Sequence, residues 1–384
     1  MIDIDSFAEF CTVRQLEVLK TIKSTGSQRK AAQELGVSKG TVSACINSVR
    51  VKAAARNIQE HASPCKVPMG YAIKGTTTLR KNGEEVMQWV KTDRDALATQ
   101  QVLIDFANSL SETVKGLAPF IAAPEHINDD LMCVIPIGDP HFGLKVWAQE
   151  GGANFDLAIA EAMTQGAIDR LIASAPPAKT ALLLNLGDMI HADSQNNTTT
   201  AGTTVDVDGR WAKIQQIGLR SMLYCINRLL EKHEKVIFRL NRGNHDKHGA
   251  YQLSMMISCY FHNQPRVEVD LSPAAVWYYQ FGKVLLGSTH GDTIKEQNMM
   301  GVMAADKSQM WGVTKHRYWY VGHVHHVNKK EYPGGIVEYF RTLAPGDAWH
   351  HGQGYRAGRD MCLIVLHKEH GEIERHRCDI GMLQ

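Results

Sequence analysis

The chain has 384 residues, 44% hydrophobic and 21% charged, with a formal net charge of +2. That balance excludes a disordered chain and a small stapled scaffold, names no partner by charge alone, and suits two or three domains at roughly 150 residues each. The eight cysteines are scattered without a C-x-x-C pair, so they read as free thiols in a reducing cytoplasm rather than as zinc ligands or disulfides.

The N-terminus "MIDIDSFAEF" is acidic, lacks the basic and apolar regions of a secretory signal, and is followed by no apolar run of roughly 20 residues. A cytoplasmic protein without membrane contact is expected. "TVRQLEVLKTIKS", "SQRKAAQEL" and "SKGTVSACINSVRVKAAAR" predict three short helices within residues 12–56, with Ser27 and Ser38 as caps and Gly26 and Gly36 as stops. This stretch holds nine basic residues against Glu17 and Glu34, an excess that suits a polyanion. The alternative is a three-helix packing module. Residues 57–70 read as a linker, 71–93 as a hairpin turning at Asn82-Gly83, and 95–118 as a helix.

From residue 131 the pattern changes. "LMCVIPI", "ALLLNL", "KVIFRL", "KVLLGS" and "YWYVG" are strand candidates, 154–174 and 211–233 are amphipathic helices, and "MCLIVLH" is a last strand. The alternation predicts an α/β domain. Five polar motifs follow the five strands: "GDPHFG", "GDMIH", "GNHD", "THGD" and "GHVHH". Groups at the carboxyl ends of strands in such a sheet share one crevice. The pooled donors are Asp139, His141, Asp188, Asn244, His245, His290, His323 and His325. Imidazole mixed with carboxylate and amide oxygen, and no thiolate, suits manganese, iron, zinc or nickel. Asp188 could bridge two ions, which would clamp a phosphoryl oxygen and activate a bridging water.

The order of these motifs resembles the calcineurin-like metallophosphoesterases over roughly residues 131–366. The resemblance implies a four-layer α/β/β/α sandwich and two divalent ions, manganese first. It implies that Asp139, His141 and His325 hold one ion, that Asn244, His290 and His323 hold the other, and that Asp188 bridges them. A bridging hydroxide would attack phosphate in line, and His245 would protonate the leaving oxygen. Asp246 is read as the partner that orients His245. "GDMIH" is similar to the double-strand-break repair nuclease branch, which gives His191 a role in turning the phosphate. Arg242, Lys247, Lys315 and Arg317 are candidates for flanking phosphates. The loop 344–360, "APGDAWHHGQGYRAGRD", could grip a phosphate or a base, or could be a polar connection. His233, His248, His316 and His326 have no place in the pattern.

Ala32, Gly36 and Val42 resemble the spacing of a helix-turn-helix, with Ser38, Lys39, Thr41, Ser43, Asn47 and Arg50 on the recognition helix. Three domains are therefore expected: an all-α helix-turn-helix at 1–60, a linker with hairpin and helix at 61–130, and the metallophosphoesterase domain at 131–384. The expected function is a metal-dependent DNA nuclease tethered to DNA, and the combination is similar to proteins of tailed bacteriophages, which would place it in the host cytoplasm. A phosphomonoesterase, a cyclic-nucleotide phosphodiesterase and a DNA-binding regulator with a vestigial esterase domain are the rivals. Self-association is left open.

Overall fold

The computed structural model describes residues 11–54, 71–81, 84–94 and 115–383. The chain divides into two compact units, Met1–Leu110 and Ser111–Gln384, each taken by itself.

In the first unit, α1 (Val13–Thr25) starts at a capping box. Thr12 Oγ1 accepts from Gln15 N at 3.2 Å and Gln15 Oε1 accepts from Thr12 N at 3.0 Å. Gly26 ends the helix in a left-handed conformation (φ 69°). α2 (Gln28–Glu34) and α3 (Lys39–Ala54) close a small core around Val18, Ala32, Val42 and Ile46. A two-stranded antiparallel ribbon, β1 (Tyr71–Lys81) with β2 (Glu84–Arg94), completes the described part. The expected linker at 57–70, the turn at Asn82-Gly83 and the body of the helix expected at 95–118 lie outside the described residues. The described end of that helix, residues 115–118, is instead a turn through Gly116 followed by chain without regular structure.

The second unit is a mixed α/β structure built on two sheets. The larger runs β13-β12-β3-β4-β5-β6, with β3 (Asn128–Ile137), β4 (Ala178–Asn185), β5 (Lys235–Leu240) and β6 (Val267–Val269) parallel. β12 (Asp360–His367) is antiparallel to β3 and to β13 (Gly371–Asp379). The smaller runs β10-β11-β9-β8-β7. Its members are β7 (Trp277–Phe281), β8 (Val284–Thr289), β9 (His316–Val321), β10 (Asn328–Tyr332) and β11 (Gly335–Tyr339), with β8, β9 and β11 parallel.

Side chains alternate across a strand, and both faces of the central strands are apolar. Met132, Val134, Leu182, Leu184 and Ile237 meet Val284, Leu286, Tyr318 and Tyr320 in a layer between the sheets. Their neighbours Cys133, Ile135, Ala181, Leu183 and Phe238 turn the other way, onto the helices Leu157–Ser174 and Trp211–Leu230. On the far face of the smaller sheet, Leu285, Trp319 and Val321 pack on Met299, Met300 and Met303 of the helix Met299–Asp306. Both sheets are thus buried on two sides. Their carboxyl-terminal strand ends remain for polar groups.

Candidate metal centre

Each motif begins where a parallel strand stops: Asp139 after β3, Asp188 after β4, Asn244 and His245 after β5, His290 after β8 and His323 after β9. The main chain there is strained. Among the described residues, six other than glycine have positive φ, and five are Asp139 (38°), His141 (46°), Asp188 (47°), His323 (71°) and His325 (56°). Each such residue costs about 1–3 kcal/mol and persists only where its surroundings enforce it. The glycines in the motifs explain part of that enforcement. A Cβ on Gly243 would lie 1.9 Å from Asp188 Oδ1 and 2.3 Å from Asp188 N, so only hydrogen fits where the two loops meet.

Three groups of donors result: Asp139 with His141 and His325; Asp188 with His290 and His323; and His141 with His191 and His245. Asn244 Oδ1 lies 3.0 Å from His290 Nε2, and His325 Nε2 lies 3.7 Å from Asp139 Oδ1. The structure therefore brings together all seven candidate ligands, with His245 and His191 alongside.

Hydrogen bonding shows what this pocket lacks. His290 Nδ1 sits 3.0 Å from the Leu186 carbonyl and must donate to it, which leaves Nε2 a lone pair facing Asp188 Oδ2 at 3.3 Å and Asn244 Oδ1 at 3.0 Å. His141 Nε2 likewise faces His325 Nε2 at 3.2 Å. Buried acceptors turned on one another need a cation between them, either a proton or a metal ion, and without an ion the proton takes that place at His290. Burial lowers His290, but the charge of Asp188 and its hydrogen bond outweigh burial and push the ring up to about 10. Burial also lowers His325, and its bond to Asp139 reverses the sign. Burial raises Asp188, yet His290 and His245 hold it below the usual carboxylate range. Burial first and then neighbouring imidazoles keep His141 far below its ordinary value, in the neutral state that binds metals. The donor set thus fits divalent ions.

His245 is held at two points: its N–H donates to Asp188 Oδ1 (2.8 Å), and its Nδ1 donates to the His191 carbonyl (2.8 Å). Its ring stacks on that of His191 with centroids 5.1 Å apart. Burial, then His245, brings His191 down to about 3. The expected Asp246–His245 pairing is corrected. The Asp246 carboxylate accepts from Gly243 N (2.9 Å) and Ile190 N (3.2 Å), so it joins two motif loops, while a main-chain carbonyl orients the imidazole. Burial and then Asp188 push Asp246 up to about 8.

Other expectations also change. Lys315 and Arg317 lie at the start of β9, the end away from His323, and Arg317 donates to the carbonyls of Gly334, Trp311 and Thr314. Neither can reach a phosphate at the metal centre. Arg242 and Lys247 are exposed and line a separate cavity of about 300 Å³. On α3, Ser38 Oγ caps the helix by accepting from Thr41 N (3.1 Å), and Ser43 Oγ donates to Gln28 Oε1 (3.3 Å), so both hydroxyls are engaged. Lys39 and Thr41 are exposed. The side chains of Asn47 and Arg50 lie outside the described ones.

The loop 344–360 contributes residues that sequence reasoning left unassigned. Asp347 caps a short helix, Ala348–Gly352, and its carboxylate holds His350 Nδ1 at 2.7 Å. The His350 ring then stacks on His325 with centroids 5.4 Å apart. The D-x-x-H spacing was the available signal. Asp193 was also missed: it accepts from His248 N (3.1 Å) and Gly249 N (2.8 Å) at the start of the helix Lys247–Tyr260. A cap supplied from so far along the chain leaves no local trace. The motif loops open on a cleft of about 880 Å³ that includes His323, His325, His326, Trp349 and Tyr355.

No protein-family model matches the chain, and no curated protein does. Among solved structures, the chain is similar to a predicted phosphoesterase from Streptococcus pneumoniae, at 9% identity over 65% of this chain and 98% of that one, with a TM-score of 0.27. It is similar to Vps29 complexed with zinc from Entamoeba histolytica (14% identity, 65% and 99% covered, TM-score 0.27). It is also similar to an archaeal phosphodiesterase (12% identity, 65% and 99% covered, TM-score 0.31). Likeness of this size decides neither activity nor family membership.

Proposed function

We propose that the protein is a metal-dependent phosphodiesterase of the calcineurin-like type that acts on DNA, with the N-terminal helices as its tether. The observation that carries this reading is the gathering of Asp139, His141 and His325 beside Asp188, His290 and His323, with Asp188 Oδ2 3.3 Å from His290 Nε2 and 4.0 Å from His141 Nε2. Asp139, His141 and His325 would hold one divalent ion, Asn244, His290 and His323 the other, and Asp188 both. Ions held there, manganese first and iron, zinc or nickel as alternatives, would polarise a phosphoryl oxygen and make water nucleophilic at neutral pH.

The chain's own residues do the rest. His245, fixed through its N–H and Nδ1, keeps Nε2 for a phosphate oxygen, and as imidazolium, with a second proton on Nε2, it would deliver that proton to the leaving oxygen. His191 supports that ring by stacking and supplies the carbonyl that sets its tautomer. The enforced backbone conformations of Asp139, Asp188 and His323 fix where their side chains leave the strand ends, so little reorganisation would be left for the reaction. Tethering by the basic helices would raise the local concentration of backbone phosphates.

The test is incubation of manganese-loaded protein with single-stranded, linear and supercoiled DNA, beside a phosphate monoester and a cyclic dinucleotide, with Asp188→Ala as blank. Strand cleavage that disappears in the variant is expected. Intact DNA with monoester turnover that Asp188 supports would replace the nuclease by a phosphomonoesterase. For the tether, Lys39→Glu is expected to weaken DNA binding and to lower the salt slope by about one. An unchanged slope would remove Lys39 from the DNA surface.

A further inference from the structure

We propose that the loop Asp347–Tyr355 forms a base-stacking subsite. The nucleobase beside the scissile phosphate lies on Trp349 and Tyr355 while the phosphate lies at the metal centre, so the substrate is a nucleotide diester rather than any phosphoester. This rests on the phosphoesterase reading above and narrows its substrate.

Four observations lead there. Trp349 and Tyr355 are 61% and 56% exposed, large aromatic faces left to solvent in a loop that the Asp347–His350 bonds tie down. They stack on each other with centroids 6.0 Å apart and planes 30° apart. They are also continuous with the metal centre: Trp349 meets His350 edge-on at 5.0 Å, and His350 stacks on the candidate ligand His325. One cleft holds all of these rings.

The fourth observation concerns the two arginines, which would be the natural phosphate grip. Arg359 donates to the Leu343 carbonyl and lies over the Phe155 ring, and Arg356 donates to the carbonyls of His351 and Tyr355. Both arginines line the same cleft, but these bonds tie their guanidinium groups to main-chain carbonyls, so the large exposed faces beside the metal centre are the rings of Trp349 and Tyr355. A base lies one sugar from its phosphate, and every base has a π-face, so such a surface binds nucleotides with little sequence preference. The Asp347 cap and its bond to His350 hold the rings in place before substrate arrives.

The experiment compares a thymidine oligonucleotide with one carrying an abasic residue beside the scissile phosphate, in wild type, Trp349→Ala, Tyr355→Ala and Trp349→Phe. The expected result is that wild type prefers the base-bearing substrate, that each alanine variant reduces this preference about tenfold, through KM, and that phenylalanine restores most of it. Equal preference in wild type and the alanine variants would overturn the subsite. Quenching of tryptophan fluorescence by adenosine 5′-monophosphate in metal-free protein gives a second readout, with loss of binding expected in Trp349→Ala. If wild type hydrolyses nothing while Trp349-dependent nucleotide binding persists, the phosphoesterase reading fails and the subsite stands. If hydrolysis proceeds but nucleotide binding ignores Trp349, the subsite alone fails.

Discussion

The two ends of the central strands carry the same residue types and use them in opposite ways. At the amino-terminal ends, His233 Nδ1 donates to the Ala178 carbonyl at 2.7 Å, His316 Nε2 to the Glu369 carbonyl at 3.0 Å, and Arg317 to three carbonyls. At the carboxyl-terminal ends, imidazole ring nitrogens face carboxylate and amide oxygens or one another. Main-chain carbonyls absorb a side chain's donors and leave it structural. A metal centre needs the reverse: acceptors gathered with no donor to satisfy them.

The largest effect should come from deleting one of those acceptors. His290→Ala is expected to lower phosphodiester turnover about 10³-fold, the rate equivalent of several kcal/mol, and to reduce bound metal from two ions to one by calorimetry. Full turnover with one ion lost would break the comparison. Next comes His245→Gln, which removes the proposed proton donor but none of the seven proposed ligands. Turnover should fall about a hundredfold or more with metal stoichiometry unchanged.

The amino-terminal end answers to pH instead. Burial, against the Ala178 bond, brings His233 from its ordinary 6.5 down to about 4, so the fold favours the neutral ring. That contribution is complete above about pH 6.5 and is lost as pH falls towards 4, reaching about 3 kcal/mol. Denaturant unfolding at pH 7 and pH 4.5 should show a smaller loss in His233→Gln than in wild type. Equal losses would mean that the ring charges freely in the fold. The smallest effect is expected for Lys315→Ala, an exposed residue at that same end: stability within about 0.5 kcal/mol of wild type and unchanged turnover. A large loss of turnover there would bring the remote strand end into the reaction.

Much of the fold was legible because the relevant signals are local. An apolar run such as "LLLN" in β4 marks a strand buried on both faces, and a polar motif straight after it marks where the strand stops. Other strands were hidden for a local reason too. β10 (NKKEY) and β13 (GEIERHRCD) are sheet edges whose charged side chains face water, so they carry no apolar run, and only pairing with β11 and β12 makes them strands. The helix Lys247–Tyr260 starts without a cap of its own because Asp193 provides one through space.

The candidate site divides in the same way. By itself, the sequence determined which side chains could be ligands and that they would follow strands, since residue chemistry and strand propensity belong to short segments. Which atom faces which was decided only by the tertiary structure: Asp246 joins two loops instead of orienting His245, Arg317 lies at the wrong end of its strand, and His350 stacks on His325. Those outcomes depend on which strand ends become neighbours across two packed sheets. That information is spread over the whole chain and is present in none of its segments alone.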